Sequence, residues 1–462
     1  MGEAAVIKIF GHFIPTRLLA LALLDIIVLI CLIELSEGLS QLVTNGASEI
    51  NINKQATALL LAPLCSVFIW AMGFYRTDGQ YRQGKTFFAA VSAACLAVLF
   101  GSLAIIALRI FLGFVNPSPI SWSLLFVAVC VFLVCLLHSR LLPNAQSKFF
   151  CRKILLIGNG PRAAAVDALA SNPDVSITIK KRIKLGASNI ALEVPPPGQL
   201  RREGIREIVV ATEEHRGLPM ERLLLCKLQG LRVTDYLTFT ERETGCVDLK
   251  ALQPAWLIYG EGCRRGVFGE VVKRVCDVLI AISLITLTAP LLIVAMLAIL
   301  SESRGPILYA QDRVGFNGRI FTLLKFRSMR TDAERQDAPQ WATTRDPRIT
   351  RVGRLLRPMR IDELPQLINV LRGDMSLIGP RPERPFFVDQ LSKEIPFYHF
   401  RQVVKPGLTG WAQINAPYAA SVEETRIKLS YDLYYVKNRS FFLDLYIALA
   451  TIRVVLLREG AN

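Results

Sequence analysis

The sequence predicts a membrane protein of α plus α/β class: four transmembrane helices, an α/β domain, and a mainly helical C-terminal domain carrying a re-entrant membrane helix. Three observations predict it. Apolar runs long enough to cross hydrocarbon recur through the first 142 residues and again around residue 290. Between them the texture changes to short strand-like runs and glycine turns. Composition agrees, because 52% of the 462 residues are hydrophobic and the mean hydropathy is +0.38, too high for a soluble chain of this length.

Residues 18–35, 56–75, 87–115 and 120–142 each suffice for one span and define a first domain, residues 1–148. The first run is broken only by Asp25 and Glu34, and no small-residue cleavage site follows, so it reads as a retained anchor. The connection at 76–85 carries Arg76, Arg82 and Lys85 against Asp78, whereas 36–55 has Lys54 as its cation and 116–119 has no charge. Cations stay on the cytoplasmic side, which places both ends of the four-helix set there. Cys31, Cys65, Cys95, Cys130 and Cys135 lie inside apolar runs, where thiols act as small core residues. Cys151, Cys226, Cys246, Cys263 and Cys276 show no C-x-x-C spacing and no neighbouring His, so neither disulfide nor zinc is expected.

Residues 149–265 follow an α/β pattern. Lys153-Ile-Leu-Leu-Ile-Gly158-Asn-Gly160-Pro-Arg-Ala163 reads as strand, glycine turn and helix, the helix running to about Ser171. Strands at 175–179, 207–211 and 232–235 and a helix at 220–229 extend it. The G-x-G-x-x-A turn is the form that sets a phosphate on a helix N-terminus in Rossmann-like domains. The acid that would hold a ribose after the second strand is missing, and Lys180, Lys181 and Arg182 stand there instead. That favours a scaffold or regulatory domain, with nucleotide sensing second and redox catalysis last.

The third domain, residues 266–462, opens on a run at 278–300 that is apolar except for Ser283, Thr286 and Thr288. Lys273 and Arg274 precede it; Arg304, Arg313, Arg319, Lys325 and Arg327 follow, so both flanks prefer the same side of a membrane. Pro290, near its middle, removes a helical hydrogen bond and bends the axis. The expectation is a helix of about 275–301 that enters one leaflet, turns at Ala289-Pro290 and leaves on the side it entered. The last apolar helix, 441–457, is short and carries Asp444 and Arg453, so it is expected to lie at the interface or in the core.

Lys and Arg (54) outnumber Asp and Glu (38), for a net charge of +16. This balance suits nucleic acid, a lipid bilayer with an anionic surface, or phosphorylated substrates. No basic patch interleaved with aromatics and no reading module occurs, which excludes nucleic acid.

Chemistry concentrates beyond residue 300. Asp362-Glu363-Leu-Pro365-Gln366 is expected to open a helix to about Leu371, with Pro365 tolerated in the first turn. Carboxylates there feel the positive helix end and stay ionised, although such a pair is also an ordinary capping feature. Gly379-Pro380-Arg381-Pro382-Glu383 is a stiff turn presenting an arginine, a bidentate phosphate ligand, and Lys325 and Arg327 add cations. A cationic pocket around an ionised acid pair suits phosphoryl transfer. Arg345, Arg348, Arg351, Arg354, Arg357 and Arg360 recur at every third position. Pro347, Gly353 and Pro358 interrupt that row, so it serves several partners: headgroups for most, substrate phosphate for the last one or two.

Lys273-Arg274-x-x-Asp277, the Pro-broken helix, Asp312-Arg313-x-Gly315, Lys325-Phe-Arg327-Ser-Met329, Asp362-Glu363-Leu-Pro365-Gln366, Gly373-Asp374-Met375-Ser376, Gly379-Pro-Arg-Pro382 and Pro406-Gly407-x-Thr409-Gly410-Trp411 follow one another in order. Together they resemble the bacterial sugar transferase family, also called monotopic phosphoglycosyl transferases. The whole chain resembles the long polyprenyl glycosylphosphotransferases, of undecaprenyl-phosphate glucose phosphotransferase type, that initiate exopolysaccharide, capsule or O-antigen synthesis.

The resemblance implies a Mg²⁺-dependent reaction in two steps. Asp362 attacks the sugar-bearing phosphate of a UDP-sugar, UMP leaves, and a polyprenyl phosphate takes the phosphosugar from the aspartyl intermediate. It further implies that Asp362 and Glu363 hold Mg²⁺ and that Arg381 grips phosphate, with Lys325, Arg327 and Arg360 beside it. Pro290, Lys273, Arg274 and Asp277 would serve the membrane helix in the bacterial inner membrane. A homodimer and other polysaccharide-assembly proteins stand as further partners. One departure is that the family's helix break is commonly Ser-Pro, whereas here it is Ala289-Pro290, so other groups must hold the bend.

Two rivals stand against this reading. A membrane-anchored nucleotide-sugar dehydratase or epimerase should show Tyr-x-x-x-Lys, but Leu433 stands four residues before Lys437. A non-catalytic assembly platform should show a broken Asp-Glu or Pro-Arg-Pro motif, and both are intact. No segment reads as a hexose pocket, so the sugar is left open.

Overall fold

A computed structural model of the protein describes residues 6–9, 12–44, 52–75, 83–111, 121–149, 151–172, 175, 177–184, 194–213, 217–254, 266–302, 304–330, 348–416 and 421–457. Helix and sheet are mixed. By its internal contacts the chain forms two units, parted between Glu243 and Thr244, with Ile9–His12 grouping with the second. The boundary expected near residue 265 falls among residues outside the described set.

In the first unit two short strands, β1 (Val6–Ile9) and β2 (His12–Pro15), lead into four helices: α1 (Thr16–Thr44), α2 (Ile52–Ala71), α3 (Gln83–Phe111) and α4 (Ser121–Phe149). Small residues let these helices approach closely, and Ala58, Ala62, Cys65, Ala89, Ala93 and Ala97 are buried between them. Leu23, Ile27, Phe88, Leu99 and Leu133 face outward. Asp25, which interrupts the first apolar run, is a helix-to-helix contact. It accepts from the Tyr75 hydroxyl, and its other oxygen lies 3.1 Å from His138 Nε2.

The α/β part follows as β3 (Arg152–Ile157), α5 (Pro161–Ser171), β4 (Ile177–Ile183), α6 (Pro197–Arg202), β5 (Ile205–Val210), α7 (Met220–Leu228), β6 (Arg232–Asp235) and α8 (Tyr236–Thr244). Its four strands are parallel in the order β4-β3-β5-β6. The glycine turn sits where that order reverses. Gly158 has φ 142°, and a Cβ there would stand 2.3 Å from the Ala211 carbonyl oxygen. One expectation is corrected: the second strand starts at Ile177 and runs through Lys180, Lys181 and Arg182 to Ile183, so the basic triplet lies within it. Alternation explains the error, since Ile177, Ile179 and Ile183 keep a strand pattern that the charged residues conceal.

The second unit opens with α9 (Val267–Glu302), which runs unbroken with Pro290 inside. Among the described residues it is the one helix long and apolar enough to cross a membrane, and most of its surface is bare, from Val271 to Leu300. A hairpin follows, β7 (Leu308–Val314) and β8 (Ile320–Phe326), then α10 (Arg351–Leu356), α11 (Gln366–Arg372), β9 (Ser376–Ile378), α12 (Pro385–Glu394), β10 (Gly407–Thr409), α13 (Trp411–Asn415), α14 (Val422–Asn438) and α15 (Phe441–Leu456). β9 and β10 pair in parallel. The core joins Leu367, Val370 and Met375 to Leu429, Leu433 and Tyr434 of α14 and Leu443 and Ile447 of α15. The last helix is therefore core-packed on one face.

Polar residues of α9 fasten it to this core. Arg274 donates to the carbonyls of Val370 (2.6 Å) and Leu371 (2.7 Å), capping the end of α11. Lys273 reaches the Ile378 carbonyl and Asp444, and the buried Asp277 accepts from the Leu377 amide. At the other end Glu302 accepts from the amides of Arg351 and Val352 at the start of α10.

Candidate active site

The acid pair sits in a turn rather than a helix. α10 ends at Leu356, Arg360 takes a left-handed conformation (φ 57°), and Ile361–Glu363 form a single 3-10 turn. α11 begins only at Gln366, with Pro365 at its N-cap, where a missing amide proton costs nothing. The helix expected to open at Asp362 therefore starts later.

Asp362 and Glu363 are both buried, and their environments drive them apart. Three cations converge on Glu363 Oε1: Arg381 Nη2 at 2.6 Å, Arg360 Nη1 at 3.4 Å and Lys325 Nζ at 3.8 Å. Although burial opposes ionisation, Arg381, Lys325 and Arg360 hold Glu363 well below the usual carboxylate range. Asp362 behaves oppositely. Burial first, and then the charge of Glu363, push it up, against the pull of Lys325, Arg357 and Arg381. This corrects the expectation of a lowered pKa, which relied on a helix end that is not at this position. Asp362 Oδ1 is buried and has no hydrogen-bond partner among the described residues. Burial lowers Lys325 to about 8, with Arg381 adding to the effect, as expected for an ammonium among like charges.

Each cation is placed by a different element. Lys325 comes from β8, whose outer edge is held by a side chain: Asn369 Oδ1 accepts from the Leu324 amide (3.0 Å), and its Nδ2 donates to the Thr322 carbonyl (2.8 Å). Asn369 thus ties the Lys325 strand to α11, just beyond the acids. Arg381 follows β9 in a loop squeezed against β10. A Cβ on Gly379 would stand 2.3 Å from the Lys405 carbonyl oxygen, so only glycine lets the two segments pass.

Of the residues expected at the site, Asp362, Glu363, Arg381, Lys325 and Arg360 come together. Arg327 is placed differently: it is buried, and its Nη1 donates to the Arg304 carbonyl (3.2 Å). Lys273, Arg274 and Asp277 lie apart from the acid pair and brace α9 against residues 370–378 and Asp444. Behind Arg381 lies a charged layer in which Arg313 and Glu383, both within the quoted motifs, meet Arg401, Lys428 and Asp432, to which motif reading gave no role. Lys428 meets Glu383 at 2.7 Å and Arg401 meets Asp432 at 2.8 Å. The available signal was the four-residue spacing of Lys428 and Asp432, which puts two opposite charges on one face of α14.

Known proteins share this region. The bacterial sugar transferase profile matches residues 268–458, which include every residue of the cluster. The UDP-N-acetylgalactosamine-undecaprenyl-phosphate N-acetylgalactosaminephosphotransferase of Aeromonas hydrophila is 50% identical over 191 residues, covering 41% of this chain and 45% of that protein. The undecaprenyl-phosphate glucose phosphotransferase of Komagataeibacter xylinus is 45% identical over 186 residues, 39% and 35% of the two chains. The UDP-glucose:undecaprenyl-phosphate glucose-1-phosphate transferase of Caulobacter vibrioides is 46% identical over 193 residues, 41% of this chain and 71% of its own length. The chain belongs to the bacterial sugar transferase family. As a bacterial sugar transferase it spans less than half the length of the first two relatives, and 71% of the third. The acid pair, Arg381 and Lys325 all stand inside the sugar transferase region.

Proposed function

We propose that this bacterial sugar transferase moves a sugar-1-phosphate from a UDP-sugar to undecaprenyl phosphate, releasing UMP, through a covalent intermediate on Asp362. The names of its relatives point to these substrate classes, and the reaction would initiate an exopolysaccharide, capsule or O-antigen. One observation carries the reading. A buried Asp362 oxygen without a partner among the described residues stands beside a Glu363 whose charge three cations already balance. A carboxylate left free among cations is a nucleophile that an anionic diphosphate can approach.

An Asp362 oxygen attacks the sugar-bearing phosphorus, and the bond from that phosphorus to the bridging oxygen breaks. UMP leaves with the electron pair. An oxygen of the polyprenyl phosphate then attacks the same phosphorus, and the acyl-phosphate bond breaks to restore the Asp362 carboxylate. Arg381 and Lys325 offset the charge of the phosphates at both steps, and Glu363 holds these cations in place.

The donor set fits Mg²⁺, since this ion is commonly held by one or two carboxylates with water and substrate phosphate completing its shell. Asp362, with its unsatisfied buried oxygen, and Glu363 would hold it. When bound it would supply charge neutralisation for the diphosphate.

We also read α1–α4 as spans of the bacterial inner membrane and α9 as re-entrant, with the site on the cytoplasmic side. Support for re-entry comes from the two ends of α9, since Lys273, Arg274 and Asp277 bind residues 370–378 and Glu302 binds residues 351 and 352 of the same unit. A full crossing would have to divide that unit between two sides of a bilayer. Cysteines at Phe268 and Ser301, in a background without the native ones, should label from one face. Opposite faces sink the re-entrant reading.

For the chemistry, enzyme given UDP-sugar and Mg²⁺ without carrier should release about one UMP per site and gain the phosphosugar mass on the Asp362 peptide. Asp362→Asn should lose both signals. If that variant still exchanged labelled UMP into UDP-sugar at the wild-type rate, direct attack by the carrier would replace the covalent mechanism.

A further inference from the structure

We infer that Arg401 is a positioning residue, set in turn by Asp432, which holds the Arg381 peptide so that the Arg381 guanidinium meets Glu363 and the substrate phosphate. This inference rests on the role proposed above for Arg381.

The loop at Pro380–Glu383 is pinned carbonyl by carbonyl. The Pro380 oxygen accepts from the Gly407 amide (2.9 Å), the Arg381 oxygen from Arg401 Nη2 (2.8 Å), the Pro382 oxygen from Arg313 Nη1 (3.1 Å) and the Glu383 oxygen from the Val314 amide (2.9 Å). Four consecutive peptides are therefore held by three other segments. Prolines on either side of Arg381 fix their own φ, so what freedom remains lies in the peptide planes around Arg381. Rotating that plane would swing the guanidinium away from Glu363, and Arg401 is the group that holds it.

Arg401 is 6% exposed, and its Nη1 donates to the Tyr398 hydroxyl (2.9 Å) while the guanidinium lies 5.3 Å from that ring centre. Asp432, 2% exposed on α14, lies 2.8 Å from Nη2. A buried ion pair is a poor way to gain stability, because the cost of removing both charges from water offsets their attraction. An apolar pair would fill the same space. A planar guanidinium, however, reaches a carbonyl, a carboxylate and a hydroxyl at once, which a lysine ammonium cannot do with the same geometry.

The test is a double-mutant cycle on the full chain in lipid nanodiscs, reading kcat and KM for UMP release, with the thermal midpoint recorded alongside. Arg401→Lys should lower kcat/KM roughly 10- to 100-fold per folded molecule, the scale expected when a catalytic group moves by about 1 Å. In an Arg381→Ala background the same change should cost nothing further, because the group it positions is gone. Should Arg401→Lys fail to fold, Asp432→Asn keeps the shape and should show the same dependence on Arg381 with a smaller loss. Additive losses, or a lowered midpoint with unchanged kcat/KM, overturn the inference. An Arg381→Ala enzyme as active as wild type overturns instead the role of Arg381 on which the inference rests.

Discussion

Each unit buries a glutamate under arginine, and the two clusters differ in one respect. In the α/β sheet, Glu207 is gripped by both oxygens: Arg242 Nη1 and Nη2 donate at 2.7 and 2.9 Å, and the Thr234 hydroxyl adds a third bond at 2.8 Å. Arg242 Nε is also paired, with Glu243. Both carboxylate oxygens of Glu207 are therefore satisfied, although Arg152 Nη1, 3.8 Å from Oε2, makes no hydrogen bond among the described residues. In the sugar transferase region the cations crowd a single oxygen of Glu363, and the adjacent Asp362 is left with a buried oxygen that no described residue satisfies. Both glutamates are held below their usual range, so a shifted pKa does not separate the two clusters. Satisfaction does. A closed network stabilises the fold, whereas an open one stores an unpaired group that a substrate or ion can complete.

The sharpest test of this contrast is Asp362→Asn. Transfer and UMP release should fall on the order of 10⁶-fold, as when the nucleophile of a catalytic unit is removed. The thermal midpoint should hold or rise, because a buried unpaired carboxylate is a burden on the fold. Arg242→Ala should do the reverse. It leaves Glu207 buried and unpaired, at a cost of about 3–5 kcal/mol in stability, while the kcat of folded molecules stays at the wild-type value. An Arg242→Ala protein that folds normally would break the comparison.

Glu383 stands between the two cases, paired with Lys428 and Arg313 but two residues from Arg381. Against the effect of burial, Lys428, Arg401 and Arg313 depress it from an ordinary 4.5 to about 2. A carboxylate depressed on folding contributes stability that is fully present above pH 4.5 and is lost as pH falls toward 2. Acid unfolding followed by circular dichroism should therefore lose that part of its slope in Glu383→Gln, which should itself cost about 1–3 kcal/mol at neutral pH. The smallest effect belongs to Thr234→Val, which removes one bond from the Glu207 cluster. About 1 kcal/mol of stability and no activity should be lost.

Much of this was legible in the residues. Periodicity and glycine spacing placed β3, α5 and β6, and the order of short motifs located Asp362, Glu363, Arg381 and Lys325 before any contact was known. What failed did so for local reasons. The helix expected at Asp362 begins at Gln366 because the left-handed Arg360 starts a tighter turn, and propensity does not report such a turn. The strand through Lys180–Arg182 was cut short because its charges masked an alternation carried by isoleucines. Arg327 resembles Lys325 in the chain, yet it turns to the Arg304 carbonyl.

By itself the sequence determined the apolar segments, the α/β pattern, the family and the identity of the acids and cations, because each is written in spacing or in a local motif. Tertiary structure alone decided which charges are satisfied. Arg401 lies 20 residues from the Arg381 carbonyl it holds and 31 from Asp432, and Arg381 lies 18 from Glu363. Whether a buried carboxylate is a closed support or an open nucleophile depends on which distant groups folding brings within about 3 Å of it. Residue order does not carry that distance, and so the upward push on Asp362 emerged only with the fold.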